Sequence, residues 1–223
     1  MSKQSFFGAF LLFSTISVSA CMSSAPTPSF TQSGSVQSNS ASDTSSSSIS
    51  LSSSQTISSD QQDIEQKADT LLRALKAKDM QTIAQLASIK GVTFSPYAYV
   101  SSDDLTFTPP QLVRFFTDTK KYVWGSYDGS GLPIELTPME YFDKFVYDHD
   151  FASQNDKRFD ATDSQGNTLN TIAEAYPQTH SVNFHYTPSR NENEMDWADL
   201  WLVFEKEENE WMLRAVVHDE WTI

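Results

Sequence analysis

The feature that most constrains this chain is a break in composition near Asp60. Residues 22–59 are dominated by Ser, Thr, Gln and Asn, with serine runs at 45–48 and 52–54. They hold no Lys or Arg and a single acid, Asp43. Such a segment cannot bury enough apolar surface to offset the entropy of ordering it. It reads as a disordered tether with an end-to-end reach on the order of 35 Å. A core must therefore come from residues 60–223, the length of one ordinary domain.

Ahead of the tether, Lys3 supplies a positive start and FFGAFLLF at 6–13 a short apolar run. The run suits a signal-peptide core and is too short to cross a bilayer as a helix. Val18-Ser19-Ala20-Cys21 follows and resembles a lipobox: an aliphatic residue, two small residues, then the cysteine. Small residues suit a shallow peptidase pocket, and the thiol is the nucleophile that takes the diacylglyceryl group. Residues 1–20 are thus expected to be removed and Cys21 to carry the lipid. Acyl chains anchor at about 0.8 kcal/mol per buried methylene. Met22 stands where an Asp would resemble an inner-membrane retention signal. The expected location is the cell envelope, at the outer membrane if the host is Gram-negative.

Cys21 is the only cysteine, so no disulfide and no cysteine-based zinc site can form within the chain. There are 15 Lys+Arg against 29 Asp+Glu. No basic cluster is present, which argues against nucleic acid and against direct binding to anionic lipid.

Order is expected from Asp60. Ser59-Asp60-Gln61-Gln62 has capping-box form. Ile64, Ala68, Leu71, Leu72 and Leu75 recur at helical spacing to about Ala77. Asp79 caps a second helix, with Gly91 as its left-handed C-cap. Thr108-Pro109-Pro110-Gln111 opens a third. Thr137-Pro138-Met139-Glu140 opens a fourth with a Thr cap, Pro at the first helical position and Glu at the third. Leu169, Ile172, Ala173 and Tyr176 suggest a short helix stopped by Pro177. Residues 151–166 read as loop. Alternation at 181–187 and 200–204, the turn Glu207-Glu208-Asn209 and a last strand from Trp211 make an antiparallel meander. The fold expected is α+β, with N-terminal helices packed on a curved antiparallel sheet.

That layout resembles the NTF2-like cone, in which helices close over a concave sheet. More closely, GVTFSPYAYV (91–100), WGSYDGSG (124–131), YDHDF (147–151) and HDEWTI (218–223) resemble an uncharacterised family of bacterial secreted and lipid-anchored proteins. The resemblance implies a fold and no reaction.

The Gly-rich loop 125–131 lacks the Lys and Ser/Thr of a phosphate loop and reads as a turn. Asp148-His149-Asp150 and His218-Asp219-Glu220 are acid–histidine clusters without the spacing of a known metal motif, so no metal and no cofactor is expected. Strand parity from Trp211 puts Leu213, Ala215, Val217, Asp219 and Trp221 on one face, and Met212, Arg214, Val216, His218 and Glu220 on the other. The first face is more apolar and should meet the helices. Asp219 would then point inward, with His149 as its donor. A single strand bulge would reverse this ranking. His185 and His218 would face out, and Arg214 would serve either a homodimer interface or solvation. Asp148, Trp124, Tyr97 and Trp221 are candidate pocket residues. Two functions are consistent with this reading. One is a non-enzymatic module that binds a small molecule or an envelope protein. The other is a cone-pocket isomerase or hydrolase using Asp219 and His149 as an acid–base pair.

Overall fold

The computed structural model describes residues 58–163, 168–187 and 195–222. The signal-peptide, Cys21 and nearly all the tether readings fall outside these residues. Among the described residues, no helix is long and apolar enough to cross a membrane.

The first helix, α1 (Ser59–Lys76), starts one residue earlier than the capping box implies. Ser58 is its cap, and its hydroxyl accepts the Gln61 amide at 3.1 Å. Ile64, Ala68, Leu71, Leu72 and Leu75 form its buried face, as the spacing requires. Asp79 caps α2 (Met80–Gln85) through the Thr82 amide. This helix is shorter than expected, because Leu86 and not Gly91 ends it. Leu86 and Ala87 instead run beside the last strand, where the Leu86 carbonyl accepts the Leu213 amide. Gly91, at φ +94°, turns the chain into β1 (Val92–Ser95). Two strands follow the expected extended pieces, β1 and β2 (Leu105–Phe107). The third helix, α3 (Pro109–Leu112), is a single turn opened by the Thr108–Gln111 capping box.

Next come the hairpin β3 (Tyr122–Ser126) and β4 (Pro133–Leu136), and then α4 (Pro138–Phe145). In α4 the Thr137 hydroxyl takes the Glu140 amide while the Glu140 carboxylate takes the Thr137 amide. The stretch read as loop contains β5 (Lys157–Phe159), an edge strand. One turn of helix, α5 (Ile172–Ala175), precedes β6 (His180–Tyr186), β7 (Ala198–Glu207) and β8 (Glu210–Glu220).

The main sheet has the order β2-β1-β8-β7-β6-β5, and β3 with β4 forms a separate pair. The result is mixed α and β with an antiparallel-rich sheet, but two parts of the expectation change. The helices are not confined to the N-terminal part, since α3, α4 and α5 lie among the strands. The sheet is not a pure meander either: β1 enters beside β8 and runs parallel to it. The alternating pattern of β8 is satisfied equally by a parallel or an antiparallel neighbour, so the sequence does not distinguish them.

Between helices and sheet lies an aromatic core. Trp124 and Tyr141 stack with centroids 3.8 Å apart, and Phe94, Phe107 and Phe115 pack around them. The opposite face of the sheet carries Trp201, Val203, Ala215 and Val217, covered by Ile172, Val100, Ala161 and Tyr176 of the same chain. Arg214 at its margin donates to Gly91 and Thr93 and lies over the Tyr176 ring.

The register of β7 with β8 slips between Val203 and Phe204. Val203 faces Ala215, Phe204 faces Leu213, and Arg214 is the extra residue. Parity therefore changes sign within β8. Leu213 and Val216 join the helix-side core, while Ala215 and Val217 join the opposite one. His218 consequently points toward the helices and Asp219 away from them, the reverse of the reading from uninterrupted alternation.

Candidate functional site

Residues 96–100, 125–131, 147–151 and 218–222 converge at one end of the sheet. Residues 96–100 leave the end of β1 beside the C-terminal half of β8, where Ser95 pairs with Val217. The 125–131 turn leaves β3 and touches the first loop, with the Asp128 amide donating to the Tyr97 hydroxyl at 3.3 Å. Residues 147–151 follow α4 and reach His218. Here a groove of about 520 Å³ opens to solvent. Tyr97, Tyr99 and Tyr127 supply its aromatic wall, and Asp103, Asp104 and Asp128 its acidic one. Asp104 is held by the Ser95 hydroxyl and the Ser101 amide, and burial raises its carboxyl above the ordinary range. Tyr97 packs edge-on to Phe145, and burial raises its hydroxyl also.

Behind Pro96 and Tyr97 lies a titratable cluster. His218 is fully buried. Its Nδ1 lies 3.4 Å from the Pro96 carbonyl, its ring meets Phe145 edge-on, and its Nε2 lies 3.2 Å from Asp148 Oδ1. The other Asp148 oxygen is 2.6 Å from His149 Nδ1. The His149 ring in turn packs on Tyr186, with centroids 4.4 Å apart. Burial pushes the Asp148 carboxyl up, but the charge on His218 and the bond from His149 outweigh it. The group ends well below the usual carboxylate range. Burial disfavours a charge on His218, yet the adjacent Asp148 carboxylate outweighs burial and raises the imidazole.

On the far face of the sheet a second cluster surrounds Asp199, which is also buried. It accepts from Asn183 at 2.8 Å and contacts His185 at 3.0 Å and Arg158 at 3.3 Å. Asp219 stands opposite Asp199 in the register and is equally buried.

The candidates from the sequence divide accordingly. Tyr97 lines the groove. Asp148 sits in the cluster behind it. Trp124 is not a pocket residue: it is wholly buried among rings, and its indole donates to the Leu136 carbonyl at 2.9 Å. Trp221 lies past β8, 40% exposed and outside the groove. Asp219 and His149 do not meet. Asp219 shares the Asp199 face, whereas His149 packs on Tyr186 at the helix side, with Asp148 as its carboxylate. His185 lies on the outer face as parity requires, but buried. Asp103 and Asp104 line the groove without being singled out by the sequence. Their signal was a run of polar and aromatic residues too irregular for a strand.

No family model and no curated protein matches this chain. A solved structure from Xanthomonas campestris, described as a calcium/calmodulin dependent protein kinase II association domain, is similar at 13% identity. The likeness covers 74% of this chain and 89% of that one, with a TM-score of 0.33.

Proposed function

We propose that this chain is an exported, lipid-anchored envelope protein whose folded domain is a non-enzymatic binding module. The groove between the 96–104 and 125–128 loops takes the ligand. Within this reading the domain is an NTF2-like cone, supported by α1 to α4 packed on one face of an antiparallel-rich sheet. The observation that carries the function is the groove's lining. Three tyrosines and three aspartates face a space of about 520 Å³, large enough for a small molecule. Carboxylates attract positive charge, and tyrosine faces attract it again through their ring quadrupoles, by about 0.5–1 kcal/mol each where exposed. The ligand class that fits is a small organic cation. Asp219 and His149, on opposite faces of the sheet, give the acid–base alternative no geometric support.

A thermal-shift panel of quaternary ammonium compounds, polyamines, organic anions and neutral sugars tests the groove. A ligand at 100 times its Kd stabilises by about 2.7 kcal/mol, a rise of roughly 5–11 °C for a domain of this size. The rise should occur with cations and vanish in Asp103→Asn/Asp128→Asn. Shifts with anions alone, or cation shifts untouched by that double variant, would overturn the reading. For the anchor, intact-mass measurement on membrane-extracted protein should show acyl mass on Cys21. Its loss in Cys21→Ser, with release from the membrane, completes that test.

A further inference from the structure

Asp148, His218 and Glu220 come from the end of α4 and from β8, yet each offers a ligand atom, and the three atoms lie within 4.8 Å of one another. His218 Nε2 and Asp148 Oδ1 are both buried. They lie 3.2 Å apart in ion-pair contact, and neither atom makes a hydrogen bond of normal geometry. The orientation of the imidazole sharpens this. The neighbour of Nδ1 is the Pro96 carbonyl, which can only accept, so Nδ1 carries the hydrogen. Nε2 is therefore the ring atom that faces the Asp148 carboxylate, and positive charge between the two, a proton or a bound cation in its place, holds them together.

We propose that Asp148, His218 and Glu220 form a binding site for one divalent first-row cation with the ligand preferences of zinc. Imidazole with two carboxylates is a donor set such ions accept. Two donors bound tetrahedrally at about 2.0–2.1 Å stand about 3.3 Å apart, close to the 3.2 Å separating Nε2 from Oδ1. The outer contacts match those of ligated side chains. His149 holds the second oxygen of Asp148, and the Pro96 carbonyl fixes the tautomer of His218. Three protein donors leave the fourth tetrahedral position to water or an outside ligand. Pro96 both orients His218 and lines the groove, so the ion would sit directly behind the ligand-binding loop. The proposal does not depend on what the groove holds.

The test is isothermal titration of the purified, chelator-treated full-length chain with Zn²⁺. Co²⁺ serves as a second probe, whose visible d–d absorption reports tetrahedral coordination. One equivalent should bind, and Co²⁺ should give tetrahedral bands. Because His218 is buried, His218→Asn confounds loss of binding with loss of the fold, so partly exposed Glu220→Gln and Asp148→Asn are measured beside it, with circular dichroism as the control. At least tenfold weaker binding in folded Glu220→Gln, and loss of stoichiometric binding in Asp148→Asn, is the expected result. The absence of a stoichiometric event, or affinity unchanged in those two variants, overturns the proposal.

Discussion

Asp148→Asn, in chelating buffer, isolates the electrostatics of the buried pair from any ion. Removing one partner of a buried ion pair costs about 3–5 kcal/mol, because the other charge is left without compensation. Two features of this site reduce that figure. His218 can release its proton, and Glu220 and Asp219 also favour its charged form. A loss of about 2–3 kcal/mol remains near pH 5, where the imidazole is charged. At about 2–4 °C per kcal/mol, the melting temperature should fall by roughly 4–12 °C. The pH dependence carries the diagnosis. The folded-state value of His218 is raised, so its contribution is complete below about 6.5, the unfolded value, and fades as pH rises through the folded one. Asp148 is depressed, so its contribution is complete above about 3.9 and fades as pH falls through its folded value. The gap between wild type and variant should therefore be widest near pH 5 and shrink by pH 9. Differential scanning calorimetry from pH 4 to 9 measures it. A gap that stays constant, or widens toward alkaline pH, would refute the assignment of charge to this pair.

Two further outcomes follow from the core and the turns. Trp124→Ala should cost about 3–5 kcal/mol in urea unfolding while leaving groove binding by the folded fraction unchanged. Weakened binding at unchanged stability would return Trp124 to the pocket. Gly91→Ala should cost at least about 1–3 kcal/mol, since alanine is strained at φ +94° and its Cβ would lie 2.8 Å from the Phe107 carbonyl oxygen. A neutral result would mean that β1 and β2 can separate at that point without penalty.

How far the sequence reaches is clearest at particular residues. Thr137 and Glu140 announce α4 because a capping box is local chemistry, complete within four positions. Ile64 to Leu75 announce α1 because one buried face repeats regularly. Strand β5 is not legible, since Lys157-Arg158-Phe159 owes its extended form to pairing with β6 rather than to its own pattern. The candidate site is legible only as separate pieces. YDHDF and HDEWTI each read as an acid–histidine cluster, but joining Asp148 to His218 depends on which way β8 faces. That direction depends on one unpaired residue whose presence no periodicity reveals.

The slip at Arg214 makes β8 behave as two half-strands that answer to different partners. Upstream of it, Trp211 and Leu213 are governed by the helix layer; beyond it, the same layer is served by the other set of alternate positions. Deleting Arg214 would close the slip: Leu213 would stay opposite Phe204 and Ala215 opposite Val203, so His218 and Asp219 would keep their sides. An added residue has no such outlet, and without a second slip it would exchange every later side chain between the two sides of the protein. The ending of this chain thus holds one residue of slack, which tolerates a loss but not a gain.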